Sequence, residues 1–158
     1  MITDKSVNKI LVAAENYAAE DVLSESVSAG TAWIFVGCGG SGYITKALLN
    51  LKTTNLTPRL TLYLFNKLPT SNLNDNVANT APINADKDNY IGRIDFPAME
   101  DLGGISSSVA TPSTYGNIPL AFRTNSPSDT LWGILVTRDA ITGEVAGDDC
   151  SIVLSMEP

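Results

Sequence analysis

The sequence predicts an all-β fold: a two-sheet β-sandwich, jelly-roll-like, with about eight strands. Three observations carry that expectation. Short runs rich in Val, Ile, Leu, Thr, Tyr and Phe alternate with clusters of Gly, Pro, Asn and Asp, the pattern of strands closed by turns. Pro58, Pro69, Pro82, Pro97, Pro112, Pro119 and Pro127 stand between those runs rather than in one linker, where a residue without an N–H does least harm to a sheet. Downstream of Asn66 no segment has the periodicity of an amphipathic helix of ordinary length.

Taken in order, the strands expected are Val7 to Ala13, Thr31 to Val36, Tyr43 to Leu51, Arg59 to Phe65, Tyr90 to Phe96, Ile118 to Arg123, Leu131 to Thr137 and Ser151 to Met156. Ala14 to Tyr17, and on to Asp21, reads as one helical turn or a loop. In Leu60 to Phe65 the leucines share one face while Tyr63 and Phe65 share the other. Leu131 to Val136 is apolar on both sides in the same way. A strand of that kind is covered twice, once by the core and once by a loop or a neighbouring subunit.

The segment from Asn66 to Asp88 is too long for a hairpin turn, and its polar run Asn72 to Asn79 predicts an exposed excursion able to reach a neighbour. Nothing marks an internal boundary, so the 158 residues are expected to form one domain, residues 1–158, with a flexible arm at Met1 to Ser6. A domain of this size can bury roughly 70% of its unfolded surface and needs neither disulfide nor metal. Cys38 and Cys150 are read as free thiols.

Charged residues are 17% of the chain, against ~25% in soluble domains. Ser, Thr and Asn runs such as Thr53-Thr54-Asn55 and Ser106-Ser107-Ser108 are therefore expected to solvate much of the surface. The net charge of −7, with no cluster of Lys and Arg along the sequence, disfavours nucleic acid and anionic membranes as partners. No apolar stretch approaches the ~20 residues of a membrane span. Met1-Ile2-Thr3-Asp4-Lys5 has no basic region leading into an apolar run, which predicts synthesis and folding in the cytoplasm. The chain contains no His, which excludes His-dependent triads and HExxH zinc chemistry.

One motif invites another fold. Gly37-Cys38-Gly39-Gly40-Ser41-Gly42 matches G-x-G-x-x-G and follows the apolar run Ala32 to Val36. In a dinucleotide-binding fold such glycines open a helix whose N-terminus meets a pyrophosphate. Here the next strand ends in Asn66 and Lys67 rather than in the ribose-binding acid, and no further βαβ units follow. A glycine-rich turn between two antiparallel strands accounts for the same residues, so no cofactor is expected.

The acid pairs Asp86/Asp88, Glu100/Asp101 and Asp148/Asp149 lack calcium-loop spacing and read as solvated loop acids. A glycosidase carboxylate pair would need a cleft that sequence does not reveal. Trp33, Tyr63, Tyr90, Tyr115 and Trp132 fit core or interface packing better than a sugar-binding face. No catalytic, cofactor or metal residue is assigned.

Leu56-Thr57-Pro58-Arg59-Leu60-Thr61-Leu62-Tyr63-Leu64-Phe65, Tyr90-Ile91-Gly92-Arg93-Ile94-Asp95-Phe96-Pro97, Ala110-Thr111-Pro112-Ser113-Thr114-Tyr115-Gly116-Asn117 and Leu131-Trp132-Gly133-Ile134-Leu135-Val136-Thr137-Arg138 resemble small virion proteins of tailed bacteriophages. The likeness is to the head decoration, or cement, proteins, and covers about half the chain. It implies a structural β-sandwich without an active site, bound to the major capsid protein on the outer capsid surface of the virion, often as a homotrimer. Gly37 to Gly42 departs from that pattern. The alternative expectation is a carbohydrate-binding β-sandwich of a phage tail, baseplate or fibre.

Overall fold

The computed structural model describes residues 1–11, 16–113 and 117–158. Thirteen strands are assigned: β1 (Thr3–Leu11), β2 (Asn16–Tyr17), β3 (Val22–Leu23), β4 (Trp33–Phe35), β5 (Ser41–Leu51), β6 (Leu60–Phe65), β7 (Tyr90–Asp95), β8 (Glu100–Asp101), β9 (Ser106–Ala110), β10 (Leu120–Arg123), β11 (Leu131–Thr137), β12 (Ile141–Thr142) and β13 (Asp148–Glu157). The one helical element among the described residues is a 3₁₀ segment, Asn84–Asn89.

The first sheet runs β1-β13-β5-β9-β8, with β10 also on β5, and the second runs β3-β11-β6-β7, with β4 also on β11. All these pairings are antiparallel; β1 with β13, β3 and β4 with β11, β5 with β9 and β10, and β6 with β7 nest as in one long folded hairpin, and β13 with β5 and β11 with β6 join across that nest. β2 and β12 form a separate ribbon. The all-β expectation holds.

Alternation explains why the sheets stack. Cys150, Ile152, Leu154 and Met156 of β13 and Ile44, Ala47, Leu49 and Leu51 of β5 turn inward, meeting Leu60, Leu62 and Leu64 of β6 and Leu131 and Leu135 of β11 in one core. Trp33 and Phe35 of β4 join them, and the Trp33 indole donates to the Leu23 carbonyl. On edge strand β1 the inward position Lys9 is only 8% exposed. Its ammonium donates to Glu25 and to Thr31 Oγ1 and lies 5.6 Å from the centre of the Trp33 ring. An inward charge of that kind discourages a further strand from adding to the edge.

Several expectations are corrected. β1 begins at Thr3, not Val7, so Thr3 to Ser6, placed in a flexible arm, pair with Met156 to Val153. Alternation carries straight through those polar residues, with Thr3 and Lys5 in step with Val7. Val12, Ala13, Ala14 and Glu15 of the first-strand and helical-turn readings lie outside the described residues, while Asn16–Tyr17 is strand. Ser106-Ser107-Ser108, expected on the solvated surface, belongs to buried β9. Its hydroxyls are satisfied there: Ser106 Oγ donates to the Thr53 carbonyl, Ser107 Oγ to Asn50 Oδ1 and Ser108 Oγ to the Pro97 carbonyl.

The largest correction concerns Asn66 to Asp88. It folds back over the outer face of the second sheet instead of reaching away. Leu73, Val77 and Ala81 sit on Tyr63, Phe65, Ile134, Val136 and Val22, with Tyr90 and Trp132 at the border. The second apolar face of β6 and β11 is thus covered by a loop of the same chain, and those strands give no argument for a subunit interface.

Two buried acids fasten the segment. Asp86, 5% exposed, accepts from the amide and hydroxyl of both Thr70 and Ser71. Burial pushes its carboxyl up, but those donors outweigh it and hold it below the ordinary value. Asp75 Oδ1 accepts from Tyr17 Oη and the Ser24 amide. Backbone bonds from Asn76 to Val22, Val22 to Val77 and Asn79 to Glu20 then stitch the segment along the β3 edge.

Candidate functional site

Gly37 to Gly42 carries the chain from β4 in the second sheet to β5 in the first. It is a crossing between sheets, not a hairpin turn, because its flanking strands pair with different partners. Gly37 and Gly39 have φ of 70° and 80°, a region that suits residues without a side chain. At Gly42 a Cβ would stand 2.3 Å from the Glu157 carbonyl oxygen. Tyr43 to Leu51 is strand, so no helix N-terminus faces the glycines. Cys38 is half-buried, its amide held by the Asp129 carbonyl and its thiol pushed up to about 11 by burial.

The acid pairs separate by environment. Glu100 and Asp101 are exposed on β8, as expected of solvated acids. Asp86 and Asp148 depart from that reading: the first is the buried clasp described above, and Asp148 Oδ2 accepts from Thr53 Oγ1 at 2.7 Å. Among the described residues no group of three or more Cys, Asp or Glu is placed to hold a metal ion. Trp33 lies in the main core, while Tyr63, Tyr90 and Trp132 lie with the covering segment. Tyr115 is outside the described residues.

Three features remain that could meet another molecule or a proton. The first is the outer face of the first sheet. Because β1, β13, β5 and β9 alternate in step, Ser6, Val153, Leu48 and Val109 form one row across four strands, and Asn8, Ser151, Asn50 and Ser107 form the next. These eight residues carry no charge. Charges gather at the ends: Asp4 and Lys46 on one side, Asp149 and Glu100 on the other. At ~4.8 Å between strands the platform is about 14 Å wide. Ser6, Asn8 and Val109 are exposed, Leu48, Asn50, Ser151 and Val153 are half-buried and Ser107 is buried, and none of the apolar members belongs to either apolar cluster.

The second is a cleft of about 330 Å³ at the Thr61–Asp95 end of the second sheet. Its walls are Arg59, Thr61, Arg93, Asp95 and Arg138, with Phe96 and Pro97 beside them. The chain has four arginines, and three of them meet here from β7 and from the ends of β6 and β11. Arg59 grips Asp139 through two bonds of 2.9 and 2.7 Å, and holds that carboxyl down at about 2. Arg138 Nη1 donates to Glu20 and to Tyr63 Oη. Arg93 has only a loose ion pair, Nε to Asp95 Oδ2 at 3.4 Å. Asp95 itself accepts from Thr61 Oγ1 and Asn117 Nδ2.

The third is a buried acid centre under the β2–β12 ribbon. Glu144 is 3% exposed and, among the described residues, neither of its carboxylate oxygens has a hydrogen-bond partner, nor has Asp75 Oδ2. Burial, then the neighbouring charges of Asp75 and Asp148, push the Glu144 carboxyl up to about 8. Burial, then Asp75 and after it Glu144, push the Tyr17 hydroxyl up, and Cys150 is raised by burial and by Glu144.

Sequence reasoning missed the last two features because their members are far apart in the chain. The alternation of Arg93 and Asp95 on one strand face was the available signal for the cleft, and Glu144 offered none. Compared with known proteins, the sequence matches no family model, and no curated protein is similar to it.

Proposed function

We propose that the chain is a non-enzymatic structural protein of a tailed-phage virion, a head decoration or cement protein that binds the major capsid protein on the outer surface of the assembled head. The observation supporting this reading is the uncharged platform Ser6-Val153-Leu48-Val109 with Asn8-Ser151-Asn50-Ser107. A flat face with few charges loses little desolvation energy when laid on another protein, and protein interfaces are depleted of charge at their centres. The nested strand pairing suits the jelly roll expected for such a protein. Homotrimerisation belongs to the same reading: three platforms on one body gain ~10² to 10⁴ in avidity over one.

The test is to add purified protein to assembled shells that lack it and to measure occupancy by co-sedimentation and shell resistance to heat. Saturable occupancy with toughened shells is expected, together with trimers in analytical ultracentrifugation. Leu48→Glu with Val109→Glu should reduce occupancy by about tenfold or more, since each leaves a charge facing an apolar contact. Shells that neither bind the protein nor gain stability overturn the proposal.

A further inference from the structure

We propose that the Arg59–Arg93–Arg138 cleft is a binding site for a carboxylated sugar, a uronic or comparable acidic monosaccharide residue within a glycan. The site lies on the second sheet, away from the platform on the first, so the two ideas stand or fall separately.

The argument starts from what the cleft offers. Guanidinium groups are planar and match a carboxylate with two parallel hydrogen bonds. Arg93 is the group with such capacity to spare: it is 44% exposed, and among the described residues its Nη1 and Nη2 donate no hydrogen bond. Arg59 and Arg138 are oriented by Asp139, Glu20 and Tyr63, so they are fixed walls of the cleft that need not be immobilised when the ligand arrives, and their charges are matched by those acids.

A carboxylate alone does not account for Asp95. That acid sits in the same wall, fixed by Thr61 and Asn117, and 31% exposed. It would repel a second acidic group and would accept from a hydroxyl. A ligand carrying one carboxylate beside several hydroxyls satisfies both sides of the cleft. An acidic peptide does not, because its next carboxylate would meet Asp95.

Size points the same way. A volume of about 330 Å³ is at the small end of ligand pockets, ~300 to 1,000 Å³, and holds one or two sugar rings rather than a length of polypeptide. Pro97, exposed at the rim, supplies an apolar edge for the C–H face of a ring.

The experiment titrates the full chain with oligogalacturonide, with the matching neutral galactose oligomer and with a short oligoglutamate, using calorimetry and amide chemical shifts. Saturable binding of the oligogalacturonide is expected, with shifts confined to the neighbourhood of Arg93 and Arg138. Neutral oligomer should not bind. Arg93→Gln, a change at an exposed side chain, should weaken uronate binding by about tenfold or more, the scale of a charge-assisted bidentate pair. Arg123→Gln serves as a control on net charge and should leave it unchanged. The proposal is overturned if uronate fails to bind, if neutral oligomer binds equally, or if Arg93→Gln and Arg123→Gln act alike. Binding of oligoglutamate through Arg93 without uronate binding also overturns it in favour of an acidic protein segment.

Discussion

The two sheets differ in what lies on their outer faces. The second sheet turns Tyr63, Phe65, Ile134 and Val136 outward and the chain covers them with its own segment from Asn66 to Asp88. The first turns Ser6, Asn8, Ser151, Val153, Leu48 and Asn50 outward and leaves them exposed or half-buried. The contrast is already present strand by strand. All six residues of β6 are buried, whereas β13 alternates from Asp149 to Leu154 between exposed or half-buried positions and buried ones. A face that is apolar in sequence is finished inside the chain, and a face that is neutral but polar is left for solvent or a partner.

The strongest way to break that comparison is to truncate matched outward residues. Phe65 is fully buried although it points away from the main core. Phe65→Ala should therefore cost about 3 to 5 kcal/mol, the range for large aromatic truncations in a core, as read from urea unfolding. A cost below about 1 kcal/mol would mean that the covering segment is not packed as described.

Next comes the acid centre under the β2–β12 ribbon, where Asp75 of the covering segment meets Glu144. The Glu144 carboxyl is at about 8 in the folded chain and at an ordinary 4.5 when unfolded. Between those values the folded protein keeps a proton that the unfolded chain has released. Stability therefore falls as pH rises from about 4.5 to about 8 and levels above that. Glu144→Gln removes this slope, and relative to the parent the variant should gain about 2 to 4 kcal/mol at pH 8 over its standing at pH 5. Parallel pH profiles for the two proteins would place Glu144 in water.

The clasp at Asp86 has the opposite sign. Its carboxyl is held below the ordinary value, so its contribution is present above the unfolded value and is lost as pH falls through the folded one. Asp86→Ala leaves the donors of Thr70 and Ser71 without their acceptor and should cost about 2 to 3 kcal/mol near neutral pH. Hydrogen exchange should quicken over residues 66–88 and far less over β13. Uniform quickening would show that the segment is not a separate cover.

What the sequence made legible follows from which forces are local. Alternation in Leu60 to Phe65 and Leu131 to Thr137 placed those strands to within a residue, and Pro and Gly marked their ends. The loop was misread because its anchors are single apolar residues, Leu73, Val77 and Ala81, set among asparagines, and because burial of Asp75 and Asp86 depends on partners supplied by folding. Ser106 to Ser108 read as surface for the same reason: the hydroxyls of Ser106 and Ser108 find backbone carbonyls, and that of Ser107 the Asn50 side chain, only once residues 53, 97 and 50 are brought alongside. The arginine cleft was invisible to a search for local charge clusters, since Arg59, Arg93 and Arg138 converge only through β6, β7 and β11.

The smallest expected effect completes the comparison. Val153 lies in the middle of the platform, flanked by Ser6 and Leu48 on the neighbouring strands, and it is half-buried. Val153→Thr keeps the β-branched shape that favours a strand and replaces one outward methyl with a hydroxyl that water can solvate. Its effect on stability should stay within about 0.5 kcal/mol, the range of surface changes away from any special feature. The companion change on the covered face, Val136→Thr, puts the hydroxyl where the residue is fully buried. That change should cost about 1 to 3 kcal/mol, because an unmatched hydroxyl is taken out of water. Measured side by side in urea, the two substitutions differ only in which sheet face receives the oxygen. Equal costs at both sites would mean that the platform is covered in the free protein, and it would then be unavailable to a partner.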